Sequence, residues 1–229
     1  ASTTAAPNAG SNTVFLPFIA RSSSPTPIPG PSLGGCAVFP SNSIFNKRVD
    51  ALPVHVNSTT YINFIGSGTG LHPDFGANWN GGPFGIPYIL VPSTQPNVPL
   101  TFLYSSESDP SPYPIPPNAP IEGGASSTGD RHVLVLQQGT CLLYEMYKSY
   151  PLNGGSSWQT DSGAKWNLGS NALRPAGWTS ADAAGLPMLP LLVRYDEVIA
   201  GEIKHAIRFT IRATNRTYIW PARHLTSSP

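Results

Sequence analysis

The sequence predicts an all-β fold: a β-sandwich or jelly roll with long Pro/Gly-rich loops and one or two short helices, preceded by an extended N-terminal strand on a tether. Three observations lead there. The 26 prolines and 22 glycines among 229 residues exceed average usage and interrupt helices and central strands. The apolar residues fall in short β-branched and aromatic runs bounded by turn signals. Only one region, Ser180 to Gly201, reads as helical.

In chain order, a polar leader (Ala1 to Asn12) meets a short apolar block, Val14-Phe15-Leu16-Pro17-Phe18-Ile19, and then a tether rich in Pro, Ser and Gly from Arg21 to Gly35. The expected division is therefore residues 1–35 as leader, docking strand and tether, and 36–229 as the β-sandwich domain. Cys36-Ala37-Val38-Phe39 begins that domain. Asn57 to Ile65 is a β-branched and aromatic run that stops at Gly66-Ser67-Gly68. A loop of Gly, Asn and aromatics spans Leu71 to Pro87. Strands are expected at Tyr88 to Val91 and Leu100 to Tyr104. Ser105 to Gly129 holds too many prolines for ladder pairing and is expected to run extended over the surface. Arg131 to Gln137 and Cys141 to Tyr147 make a hairpin around Gln138-Gly139-Thr140. Alternation places His132, Leu134 and Leu136 on one face of the first strand, and Cys141, Leu143, Glu145 and Tyr147 on one face of the second. Two short strands are expected around Trp158 and Trp166. Ser180 is positioned to cap a helical turn, Val193 to Ile199 a second turn ending at Gly201. A last strand is expected from His205 to Ile211. No internal repeat is present.

Composition narrows the function classes. Charged residues are 11% and hydrophobic residues 40% of the chain, so Asn, Ser, Thr and Gly carry the surface polarity, which suits an extracellular β protein. The net charge of +1, without a basic block, disfavours nucleic acid and anionic membranes as partners. No apolar run reaches the length of a transmembrane helix. The start at Ala1 is expected of a mature secreted chain whose signal peptide has been removed. The two cysteines, Cys36 and Cys141, are expected to pair in an oxidising compartment. Such a bridge contributes roughly 4–5 kcal/mol in the chain-entropy view.

Several stretches carry a resemblance. Gly129-Asp130-Arg131-His132-Val133-Leu134-Val135, Leu143-Tyr144-Glu145, Thr179 to Pro187, Gly201 to Phe209 and Trp220-Pro221-Ala222-Arg223-His224 together resemble a family of secreted bacterial β proteins of unassigned function. The resemblance covers most of the chain after Phe39. It implies a shared secreted fold and no particular activity.

Two chemistries compete with a structural role. Glu145, His132, Glu202 and His205 form the candidate catalytic set. Two carboxylates and a histidine converging in a groove would suit acid/base cleavage of a polysaccharide, with a glycosidase pair about 5–9.5 Å apart. The alternative is that each is simply hydrogen-bonded to a loop. Trp79, Trp158 and Trp166 lie in Gly-rich stretches and are candidates for stacking on sugar rings, as a non-catalytic module would use them. The five histidines (His55, His72, His132, His205, His224) show no ligand spacing, so no metal and no cofactor is expected.

The leader supports the structural reading. Val14, Leu16 and Phe18 alternate to one side, Phe15 and Ile19 to the other. Seating the first three in a groove is worth roughly 4–9 kcal/mol before ordering costs. Strand addition to a sheet edge is an established recognition mode, and Pro17 confines this strand to pairings that leave its position free. Extended, the tether spans up to roughly 45 Å. Donation to a neighbouring copy is head-to-tail and builds an open filament. The expectation from sequence is a secreted subunit of an extracellular filament or surface layer, with a homo-oligomeric partner and possible contact with polysaccharide. A secreted polysaccharide hydrolase or lyase, or a sugar-binding module, is the alternative.

Overall fold

The computed structural model describes residues 30–70, 78–79, 82–211, 214 and 217–225, with the backbone alone at 78–79 and 82–83. The expected docking strand, Val14 to Ile19, lies outside the described residues.

The described chain opens on a hairpin, β1 (Ser32–Leu33) and β2 (Cys36–Ala37), whose turn uses Gly34 and Gly35 at φ 58° and 85°. A 3₁₀ turn follows at Ile44–Asn46, where the Phe45 N–H donates to Ser43 Oγ. Helix α1 covers Ser58–Ile65. Two-residue strands β3 (Asn78–Trp79) and β4 (Gly82–Pro83) pair with each other. Then come β5 (Tyr88–Val91), β6 (Leu100–Phe102), β7 (Val133–Gln137), β8 (Leu142–Tyr147), β9 (Tyr150–Leu152), β10 (Ser157–Thr160) and β11 (Ser162–Asn167). A 3₁₀ turn at Leu189–Leu191 precedes α2 (Tyr195–Ala200), which ends on Gly201 in the left-handed region at φ 72°.

These strands form a mixed four-stranded sheet, β11-β8-β7-β5, and a three-stranded sheet, β6-β10-β9. The β7–β8 hairpin turns at residues 138–140, with Leu134 opposite Glu145 and Val135 opposite Tyr144. β5 joins β7 in parallel, and β6 joins β10 in parallel. The period-2 alternation feeds two apolar clusters. Leu134, Leu136, Leu143 and Trp166 pack with Leu33, Phe39, Met188 and Leu189. Val133, Val135, Tyr144 and Met146 pack with Leu100, Tyr113, Ile115 and Trp158. The larger sheet is thus covered on both faces, and all five residues of β7 are buried. At about 1.5–3 kcal/mol per large apolar side chain, these clusters account for the order of the sheet.

Cys36 and Cys141 are joined, with their Cα atoms 5.5 Å apart. The bridge ties β2 to the turn that opens β8.

The structure corrects four expectations. Ser180 to Gly201 is not the one helical region, since Ser58–Ile65 is helix α1: Tyr61, Ile62 and Ile65 recur at helical spacing, and Gly66 closes the end at φ 100°. His205 to Ile211 is not a strand. Its amides go to loops, Ala206 N–H to the Phe45 carbonyl at 2.7 Å and Arg208 N–H to the Leu191 carbonyl at 3.1 Å, while Ile207 and Phe209 stay exposed. Ser180 starts no helix; its hydroxyl lies 2.8 Å from the Asp182 carbonyl and 2.6 Å from the Leu186 carbonyl, accepts the Asp182 N–H at 2.9 Å, and folds a tight loop. The proline-rich segment 105–129 does not merely cross the surface, since Tyr113 and Ile115 are fully buried.

Candidate functional site

The loop from Ser180 to Leu191 lies over Glu145 on β8 and His132 just before β7, two of the four expected catalytic residues, and it occupies both. Glu145, opposite Leu134 on β7 and Ala164 on β11, is completely buried. Its Oε1 accepts the Leu189 N–H at 2.7 Å and the Met188 N–H at 3.0 Å. Its Oε2 accepts the Trp166 indole N–H at 2.9 Å and the Met188 N–H at 2.9 Å. Burial pushes the carboxyl up to about 7, against the pull of these donors and of His132. With its oxygens committed and no path to solvent, this group clamps a loop to the sheet.

His132 is also buried. Its Nδ1 meets Glu122 Oε2 at 2.6 Å and its Nε2 meets the Ala181 carbonyl at 3.0 Å. Both ring nitrogens thus face oxygen atoms. Burial acts to raise Glu122, but the hydrogen bond and charge of His132 outweigh it, and the carboxyl is held below its ordinary value.

His205 belongs to a different cluster. Its Nε2 meets Glu197 at 3.1 Å and its Nδ1 the Ala206 carbonyl at 2.8 Å. Glu197 also takes the Arg194 guanidinium and, at 3.2 Å, the Arg194 N–H. Glu202 is exposed and pairs with Lys204 at 3.1 Å. Among the described residues, no hydrogen bond or ion pair joins any two of Glu145, His132, Glu202 and His205. The structure brings Glu145 and His132 under one loop and leaves Glu202 and His205 elsewhere.

Sequence reasoning missed the partners Glu122 and Glu197. The Arg194–Glu197 pair had a legible signal, its three-residue spacing at a helix start. Glu122 had none. It also missed the clamp around Arg174, whose guanidinium pairs with Asp109 and donates to the Glu107 carbonyl at 2.7 Å.

The tryptophans redistribute. Trp158 and Trp166 are core residues, 1% and 3% exposed, and offer no face to a sugar. The Trp79 side chain lies outside what the structure describes. Trp220, which the sequence did not single out for stacking, is 61% exposed. It lines a cleft of about 420 Å³ together with Phe39, Phe45, Leu173, Asn42, Asn171 and Lys47.

A second surface is apolar and uncovered. Val49, Leu52, Val54 and Val56 lead into α1, where Tyr61, Ile62, Phe64 and Ile65 follow, and all of them are substantially exposed. No residue of α1 is buried. At the end of the three-stranded sheet, β9 exposes all three of its residues, Tyr150 and Leu152 among them.

Among the described residues no group of three His, Cys, Asp or Glu is arranged to hold a metal ion, and no helix is long and apolar enough to cross a membrane. No family model, no curated protein and no solved structure matches this chain.

Proposed function

We propose that this protein is a secreted structural subunit that assembles into an extracellular filament or surface layer. Each copy donates the strand Val14 to Ile19 to a neighbour, and the two sheets of the receiving domain act as a β-sandwich with an accepting edge. The observation that carries this reading is the apolar surface from Val49 through α1. An eight-residue helix is marginal on its own in water, and an apolar helix with no buried residue calls for a covering partner. The exposed edge β9 suits strand addition, and the disulfide suits an oxidising compartment.

The donor has the complementary chemistry, an apolar block on a tether long enough to leave its own domain. The reading is checked by placing charges on that block in the full chain. Leu16→Asp with Phe18→Asp is expected to leave the fold and disulfide intact and to abolish assemblies seen by sedimentation and negative-stain microscopy. Assemblies unchanged in the double variant, or a native protein that is monomeric at every concentration, refute strand donation.

A further inference from the structure

We propose that the cleft beside Trp220 binds a carboxylated oligosaccharide. The inference rests on this cleft alone and does not need the assembly reading.

Three features of the cleft act together. The Trp220 side chain is 61% exposed at its rim. A large aromatic left in water presents a flat apolar face with a polar N–H edge, which suits the C–H face of a pyranose ring. Phe39 and Phe45, with centroids 5.4 Å apart, also line the cleft and are themselves buried, which makes that part of its wall firm.

The second feature is a pair of amides. Asn171 Nδ2 donates to Asn42 Oδ1 at 2.9 Å. That bond orients both side chains and leaves Asn42 Nδ2 as a donor and Asn171 Oδ1 as an acceptor, neither with a partner among the described residues. Each sugar hydroxyl both donates and accepts, so adjacent hydroxyls match this donor and acceptor. Ser170 also lines the cleft.

The third feature is charge. Lys47 is the single cation among the described lining residues, which include no carboxylate, and its ammonium makes no ion pair among the described residues. An unpaired ammonium in a cleft without acids favours an anionic ligand. An aromatic platform, an amide pair for hydroxyls and one cation together select a sugar bearing a carboxylate. A lipid or an apolar peptide would leave the amides and the lysine unused.

The test is calorimetric titration of the full native chain with oligomers of galacturonate, of mannuronate and of hyaluronan, with maltohexaose as the neutral counterpart. At least one acidic oligomer is expected to bind and maltohexaose to bind at least tenfold more weakly. Trp220→Ala is expected to lower the affinity by about tenfold or more, and Trp220→Phe to retain most of it. Lys47→Gln should narrow the gap between acidic and neutral ligands and remove the salt dependence. Trp220 is exposed, so these variants fold, as circular dichroism will check. No binding to any of the acidic oligomers overturns the proposal. So does equal binding of maltohexaose, or an affinity unchanged in Trp220→Ala. If Trp220→Ala abolishes self-assembly while no sugar binds, the cleft is a subunit contact instead.

Discussion

Glu145 sits where a carboxylate is costly and well supplied with donors at once, and its proton balance gives the fold a pH dependence. In the folded chain it keeps its proton up to about 7, against an ordinary value of 4.5 once unfolded. Between those values the folded state binds more protons. The stability this group contributes is therefore full below about pH 4.5 and is lost as pH rises through about 7. Glu145→Gln removes that slope, so urea unfolding at stepped pH should show the native protein weakening across the window relative to the variant. Gln also sets an N–H₂ group against N–H donors, and a loss of about 1–3 kcal/mol is expected at pH 5. Gly163 on β11 makes a steric prediction. A Cβ there would meet Phe102 Cε1 at 2.5 Å and the Tyr113 hydroxyl at 2.7 Å. Gly163→Ala is expected to destabilise by about 1–3 kcal/mol, read as a lower midpoint in the same denaturant titration.

At the scale of elements, α1 contributes surface rather than core. Ile62→Asp with Phe64→Asp should change the unfolding free energy by no more than about 0.5 kcal/mol, yet weaken self-association in sedimentation. A large loss of stability would mean that α1 is part of the domain's own packing. The elements also show what the sequence could reveal. The β7–β8 hairpin was legible because alternation and a Gly turn agree there, and α2 because Gly201 follows its last turn. The paired cysteines were legible from their number alone. α1 was obscured by β-branched residues, whose strand preference is weak against a helical spacing of apolar positions. The segment His205 to Ile211 alternates like a strand, but no edge receives it and its amides are taken by loops. Glu145, His132, Glu202 and His205 could be read as polar residues near strands, but not as groups answering to Met188, Glu122, Lys204 and Glu197. Met188 stands 43 residues beyond Glu145 and Glu122 10 residues before His132, and spacing carries no record of either, while Glu197 on α2 and Lys204 lie nearer in the chain but off any strand period.

Over the whole molecule, the segments that follow β11 are held in place by polar clamps as well as by apolar contact. Glu145 holds the loop at Met188, Asp109 holds Arg174, and Asp182 holds Arg208 at 2.6 Å. The disulfide secures the opposite end, bridging positions 105 residues apart. Cys36→Ser with Cys141→Ser is expected to lower stability by about 2–5 kcal/mol, measured by thermal unfolding, and to free the β1–β2 hairpin first. The parallel pairings carry a different consequence, one of time. β5 must find β7, and β6 must find β10, across the long intervening stretches of the chain, whereas β7 and β8 meet through a short turn and β11 returns to β8 after the β9–β10 segment. Contacts this distant in sequence place folding on the millisecond-to-second scale. On that ground the β7–β8 hairpin is expected to form early and β5 and β6 to dock last, an order that pulse-labelling hydrogen exchange during refolding would check. For that interval a newly made chain carries unsatisfied strand edges, and in this window it is most open to pairing with the wrong copy.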